Sequence, residues 1–243
     1  MLLSAGEWRA VVLTLELAAV STTILLALGT PIALWLANTR GSLRAFAEAL
    51  IALPLVLPPT VLGFYLLISF APDSPLGALW YNAFGHDLAF SFSALVLGSC
   101  IYSMPFVVQP LQQAFAAIPA DLHSMTATLG ASPWDRFWTL TVPLSKRAFM
   151  LAGALAFAHT LGEFGVVLMI GGSIPGETQV LSIALYEHVE NMNYPAAHRL
   201  ALLILATSLI MLFTLYRRDG WRLGAKSSRL QNQTHPAENG QAR

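Results

Sequence analysis

The chain has 243 residues, 56% of them hydrophobic and only 11% charged, with a mean hydropathy of +0.61. A soluble domain carries roughly 25% charged residues, so much of this surface is built to meet lipid. Thirteen basic and thirteen acidic residues cancel; with no basic stripe interleaved with aromatics, nucleic acid is excluded as a partner, and a single Cys100 excludes an internal disulfide framework.

Five stretches are long enough to cross a bilayer core, which needs about 20 apolar residues: Val11–Leu36, Ala49–Ala71, Phe90–Val108, Ala148–Gly171 and Leu200–Tyr216, the last short but usable. The expected fold is therefore an all-α integral membrane protein of about five transmembrane helices, with a membrane domain over residues 8–220. The first run has no basic region ahead of it and is too long for a cleaved signal peptide, so it is expected to stay. Glu16, one turn into that run, can snorkel outward.

The second run contains Pro54, Pro58 and Pro59. Each removes a backbone donor and bends or breaks a helix, and in lipid such breaks survive only where protein or a water-filled cavity satisfies the freed carbonyls. A kinked packing helix and a helix lining a pathway both fit, which makes Pro58 and Pro59 pathway candidates. The following connector, residues 72–90, holds turn residues and the cluster Trp80, Tyr81 and Phe84, the composition of an interfacial segment. His86 and Asp87 read as a solvated turn, since no second His or Cys lies at ligand spacing, and no metal or cofactor is expected.

Between the third and fourth runs, residues 119–143 are only weakly hydrophobic. Pro119 can open a helix with Asp121 in its first turn, favourable against the positive end of the helix dipole. Leu122, Met125 and Leu129 recur at helical spacing, and Gly130 supplies the left-handed residue that ends helices. Ser132 then caps a second helix with Pro133 in its first turn and Asp135 three after the cap, and Pro143 closes it. A helix of about ten residues spans roughly 15 Å, half a bilayer, so its apolar residues need another partner.

In the fourth run Glu163 is flanked by Gly162 and Phe164. A charge at mid-bilayer costs at least about 2.5–3.5 kcal/mol, so this carboxyl must be protonated, paired or open to a cavity. A structural role, bonding backbone freed near Gly162 and Gly165 or shaping a gate, is weighed above direct lining of a pathway. His159, one turn earlier, reads as core packing. After Gly171, Gly172, Pro175 and Gly176 make a loop; a helical pattern then runs from Thr178 to about Val189, with His188, Glu187 and Glu190 at a polar helix end.

Eleven of the thirteen basic residues fall on one side of this arrangement: Arg40 and Arg44; Arg136, Lys146 and Arg147; and Arg217, Arg218, Arg222, Lys226, Arg229 and Arg243. Only Arg9 and Arg199 fall on the other. The positive-inside rule thus places the N-terminus outside, and residues 119–143 and the C-terminal tail in the cytoplasm. Residues 221–243 are polar and are expected to be disordered.

The pattern Ser124-Met125-Thr126-x3-Gly130-x9-Leu140-x-Val142-Pro143 resembles the Glu-Ala-Ala-x3-Gly-x9-Ile-x-Leu-Pro motif of ABC importer permeases. In that family the motif forms the coupling helix, which docks into a cleft of the ATPase subunit. The spacing, Gly130 and Pro143 match, whereas Ser124, Met125 and Thr126 stand where the family has Glu-Ala-Ala, which leaves Asp121, one turn earlier, as a candidate to take the place of the missing Glu. The resemblance implies the type I importer permease fold and an ATPase contact through Asp121, Leu122, Ser124, Met125, Thr126, Leu129, Gly130, Ala131 and Pro133. Leu161-Gly162-Glu163-Phe164-Gly165 and Ile174-Pro175-Gly176-Glu177-Thr178 are similar to the molybdate branch, with sulfate and tungstate permeases as close alternatives. They add Glu163, Gly165, Gly176, Glu177 and Thr178 to the pathway or gate candidates. The resemblance further implies two ATPase subunits, a periplasmic or extracellular molybdate-binding protein and a second copy of the chain as partners. No Gly-x4-Gly-Lys-Ser/Thr is present, so the chain does not cradle nucleotide phosphates and is not the ATPase. A membrane enzyme would need a buried cluster of nucleophile, base or ligands, and a non-ATP channel would not need the capped cytoplasmic element.

Overall fold

The computed structural model describes the backbone of residues 3–233, and side chains as far as Thr214 together with Arg217. The described residues form α1 (Ala5–Asn38), α2 (Ser42–Val56), α3 (Pro59–Phe70), α4 (Pro75–Phe84), α5 (Phe92–Ala116), α6 (Ala120–Thr128), α7 (Pro133–Arg136), a π-helical turn (Phe137–Thr141), α8 (Val142–Leu144), α9 (Lys146–Gly162), α10 (Gly165–Gly171), α11 (Leu181–Glu190) and α12 (Tyr194–Gln233). The all-α expectation holds. Three helices are long and apolar enough to cross a membrane unbroken, Ala5–Asn38, Phe92–Ala116 and Tyr194–Thr214, and up to five spans result if each bent pair is one crossing.

The interior is the meeting of α1, α5 and α9, with α10 laid between α3 and α5. Leu17, Leu25 and Leu36 of α1 close on Leu95, Val107 and Leu111 of α5 and on Ala152 and Ala156 of α9, all buried. Small residues set how closely these elements approach. A Cβ on Gly29 would come within 2.8 Å of the Val107 side chain, and one on Gly98 within 2.3 Å of Ile170. The outward faces carry Leu28, Trp35, Leu50, Leu205, Leu209 and Phe213, all exposed, as expected where lipid rather than water is the solvent.

Three expectations need correction. The run Ala49–Ala71 is not one kinked helix: α2 and α3 meet at 111°. Pro58 and Pro59 bar αR from the residues before them, and Leu57 and Pro58 accordingly take ψ 137° and 134°. The run Ala148–Gly171 is likewise interrupted, with Glu163 extended (ψ 130°) between α9 and α10. Pro143 does not close its helix. The backbone widens into the π turn just ahead of it, with the Val142 N–H reaching Phe137 O, which relieves the clash a proline ring makes with the preceding turn; the helix ends at Ser145. The tail, expected to be disordered over 221–243, continues α12 as helical backbone to Gln233. It contains no proline before Pro236, and adding residues to an existing helix avoids the cost of nucleating one. Residues 234–243 of that expectation lie outside the described residues.

Candidate functional site

Two features stand apart from simple packing: an exposed capped helix and a buried polar seam. The exposed helix is α6, which has no buried residue. Its end is a Schellman motif: Gly130 has φ +82° and donates to Ala127 O at 3.0 Å, while Ala131 donates to Thr126 O at 3.1 Å. Hydroxyls within α6 turn back on their own helix, Ser124 to Ala120 O, Thr126 to Leu122 O and Thr128 to Ser124 O. Met125 and Leu129 stay exposed, at 63% and 86%; Asp121, Ser124, Gly130 and Pro133 are exposed and Leu122, Thr126 and Ala131 half-buried. Ser132 and Asp135 then form the reciprocal cap that opens α7. The spacing therefore delivers a short helix whose Met125 and Leu129 side chains have no cover among the described residues.

The polar seam lies where the two interrupted runs meet. A Cβ on Gly165 would come within 2.8 Å of Pro59 Cβ, so the break before α10 seats directly on the start of α3. Beside it Glu163 is buried; its Oε2 accepts from Ser99 Oγ of α5 at 2.7 Å, and its backbone carbonyl accepts from Ser182 Oγ of α11 at 2.6 Å. The carboxyl thus bonds α5 rather than the backbone freed near Gly162 and Gly165, and Oε1 has no hydrogen-bond partner among the described residues. One turn along, Ser103 Oγ and His159 Nδ1 share a hydrogen bond at 2.8 Å. The imidazole also lies against Tyr102 and Phe106, with centroids 4.7 and 4.4 Å away.

The remaining pathway candidates lie elsewhere. Thr178 is fully buried and ties the loop after α10 to that helix, donating to Gly171 O at 2.7 Å and accepting from Ile174 N at 3.0 Å. Gly176 and Glu177 are exposed at the tip, and Pro58 is exposed at the α2–α3 break. The seam brings Pro59, Glu163 and Gly165 together and leaves Gly176 and Glu177 apart. The helical pattern expected from Thr178 starts at Leu181, whose N–H is capped by Thr14 Oγ1 of α1 at 2.7 Å. His188 and Arg199 both approach Glu7 Oε1, at 3.5 and 3.3 Å, binding α1 to α11 and α12. Ser99, Ser103 and Ser182 were missed in the sequence. The i, i+4 repeat of Ser99 and Ser103 in an apolar run was the available signal.

An exposed capped helix on a helical membrane domain with two interrupted crossings is the architecture of a binding-protein-dependent permease. The chain belongs to that family: residues 29–218 match the binding-protein-dependent transport system inner membrane component. It is a multi-pass inner-membrane permease component and not the ATPase of such a system, and membership carries with it an ATPase, a substrate-binding protein and pairing of permeases.

Among its relatives, the molybdenum transport system permease protein ModB of Azotobacter vinelandii is 50% identical over 92% of this chain and 99% of that protein. The protein of the same name in Escherichia coli strain K12 is 33% identical over 87% and 93%. The sulfate transport system permease protein CysT of the same strain is 33% identical over 74% and 66%. In fold, the chain is similar to a bacterial alginate ABC transporter solved with an alginate-bound periplasmic protein (TM-score 0.70, 15% identity, 87% of this chain and 77% of that one). It is also similar to the inward-facing MetNI methionine ABC transporter (TM-score 0.62, 18% identity, 87% and 92%).

Proposed function

We propose that this chain is the permease of an ATP-driven importer of molybdate. It works as a homodimer, gripped from the cytoplasm by two ATPase subunits and fed from outside by a molybdate-binding protein. For the cargo, the support is the 50% identity to a molybdenum permease across nearly the whole of both chains. For the mechanism, the single observation that carries the reading is α6, a capped helix with its Met125 and Leu129 side chains left uncovered.

In this reading residues 8–220 are the transport unit and 119–143 its coupling loop. The contact runs through Asp121, Leu122, Ser124, Met125, Thr126, Leu129, Gly130, Ala131 and Pro133. Closure of the ATPase pair on ATP moves α6, and α7 to α9 carry that movement to the seam. There Pro59, Glu163 and Gly165 form the hinge between α3 and α10, so a rocking of α9 reaches both interrupted crossings together. Pro58 lies at the rim of that hinge. Gly176 and Glu177, on the loop that buried Thr178 ties to α10, are the outer-side residues that meet the binding protein or the entering oxyanion. The N-terminus is outside and the C-terminus cytoplasmic, an orientation supported by the eleven basic residues on one side.

Uptake of labelled molybdate in cells lacking their own molybdate permease tests the reading, with the chain supplied beside its ATPase and binding protein. The expected result is ATP-dependent molybdate accumulation that excess sulfate leaves largely intact. Sulfate taken up in preference to molybdate would move the cargo to the sulfate branch. Accumulation without the ATPase would refute the importer.

A further inference from the structure

At the end of α2 the Leu57 N–H still reaches Leu53 O at 3.1 Å, but the next two residues are Pro58 and Pro59 and carry no N–H. The carbonyls of Pro54 and Leu55 therefore lose the donors that a continuous helix places four residues on. The chain does not cover this gap. Leu55 and Val56 are 48% and 81% exposed, and Pro58 beside them is exposed as well. Lipid has no donor for a freed carbonyl, and irregular backbone at membrane depth persists only against protein or a water-filled cavity.

A second polar group is left open on the same approach. Successive crossings alternate in direction, so the second and fourth runs ascend together, and they touch at Pro59 and Gly165. Pro58 comes just before that contact on one run, and His159 comes one turn before Glu163 on the other. The imidazole is half-buried. Ser103 Oγ lies 2.8 Å from its Nδ1 and 3.4 Å from Thr160 Oγ1, so the hydroxyl proton goes to the nearer ring nitrogen. In its neutral form the ring then carries its one N–H on Nε2. Nε2 has no hydrogen-bond partner among the described residues and is not sealed from the surface. The Glu163 carboxyl does not share this opening, being buried and turned to Ser99. Acceptors without donors and a donor without an acceptor thus stand open close to one contact. Water satisfies both, whereas the apolar outward face of another helix satisfies neither.

We propose that the α2–α3 break and the imidazole of His159 line a water-filled stretch of the transport pathway, in which the His159 Nε2–H donates to the passing oxyanion. The freed carbonyls repel an oxyanion and hold water, so the break supplies the wet wall and His159 the donor. Ser103 fixes the ring from one nitrogen and Tyr102 and Phe106 brace its plane, which keeps the other nitrogen in place. A neutral donor suits this task, because a pathway must bind its cargo weakly enough to let it leave. The inference deepens the importer reading above and rests on it for the identity of the cargo.

The test begins with the assembled transporter, permease with its ATPase, in nanodiscs, using a chain whose Cys100 is replaced by serine. A charged methanethiosulfonate reagent needs water at the thiol. It should modify Val56→Cys and His159→Cys many-fold faster than Leu205→Cys on the exposed face of α12. A cysteine at position 56 or 159 as slow as the one at 205 overturns the wet lining, whether lipid or a second copy covers it. Proteoliposomes with the binding protein then separate contact from packing, through the molybdate moved per ATP hydrolysed. His159→Asn keeps an amide where Nδ1 meets Ser103 and loses the outer N–H, whereas His159→Gln reaches the place of Nε2. The Asn variant should move several-fold less molybdate per ATP with its thermal midpoint and ATP hydrolysis kept, and the Gln variant should recover most of the loss. Parent-like transport in the Asn variant overturns the contact. So does a joint fall of midpoint, hydrolysis and transport in both variants, the pattern of a packing residue. A parent that moves sulfate and not molybdate refutes the cargo reading instead, and the variants are then ranked on sulfate with the same outcomes.

Discussion

Glu163 is the residue on which most of the buried chemistry converges. Its side chain holds α5 through Ser99, and its backbone carbonyl holds α11 through Ser182, at the point where α9 gives way to α10. Glutamine keeps an acceptor oxygen in the same place. Glu163→Gln should therefore leave the thermal midpoint of the purified permease close to that of the parent. Glu163→Ala strands the Ser99 hydroxyl in a dry site, a loss of about 1–3 kcal/mol for an unsatisfied buried group, and should lower the midpoint clearly. Transport lost in Glu163→Gln with the midpoint kept would mean that the charge, not the bond, is what matters. Gly130 is the second telling position. Its φ of +82° costs an L-residue about 1–2 kcal/mol, so Gly130→Ala should speed amide exchange at Gly130 and Ala131 by roughly tenfold while exchange in α5 is unmoved. Unchanged exchange at those amides would show that the Schellman closure does not hold the end of α6.

At the scale of the element, α6 is a surface waiting for a partner. Nine residues of helix with none buried are too few to persist on propensity alone, since isolated helices under about 12–15 residues are marginal in water. The Schellman closure at Gly130 holds its end ready, and docking supplies the rest. Met125→Asp places a charge in the centre of the apolar surface. It should leave the permease in the membrane but remove its copurification with the ATPase and uncouple ATP hydrolysis from uptake. Ser124→Glu and Thr126→Ala, which move the segment toward the family pattern, should be tolerated in the same copurification assay. A fully coupled complex in the Met125→Asp variant would place the docking surface elsewhere. The π turn bears on the same element. It carries the helix past Pro143 and lets α7 to α9 act as one bent arm, with 74° between Pro133–Leu144 and Lys146–Gly162.

For the whole molecule, the described residues combine three helices long enough to cross unbroken with two runs that are interrupted where they touch. α3 and α10 meet at Pro59 and Gly165, and both runs are broken within a few residues of that contact. A pair of such chains would set two of these hinges about a central seam. The proposed orientation is testable in a chain whose Cys100, buried in the interior, is replaced by serine. A cysteine at Ser4 should react with a membrane-impermeant thiol reagent added outside intact cells, and one at Ser227 should react only after the membrane is opened. The reverse pattern would put α6 outside, beyond reach of any ATPase, and end the coupling reading.

Much of this was legible in the residues because it is local. Hydrophobic run length marks candidate crossings, the bias of lysine and arginine gives an orientation, and a helix stop with αL glycine and a Ser–Asp cap can be read from a dozen consecutive positions. Those features depend on the chain's nearest neighbours or on bulk lipid, and the fold class and the boundaries of α6 follow from them. What only the tertiary structure decided depends on contacts across long sequence separations. That Ser99 and Ser182 satisfy Glu163, that His159 turns to Ser103, and that Gly165 seats on Pro59 are choices among many possible partners for a buried polar group or a small residue. Burial makes a partner necessary without naming it, and only the packing of α5, α9 and α11 does so. The depth of the breaks belongs there too: prolines at 58 and 59 require an interruption, but the 111° between α2 and α3 is set by the surface of α10 on which α3 comes to rest.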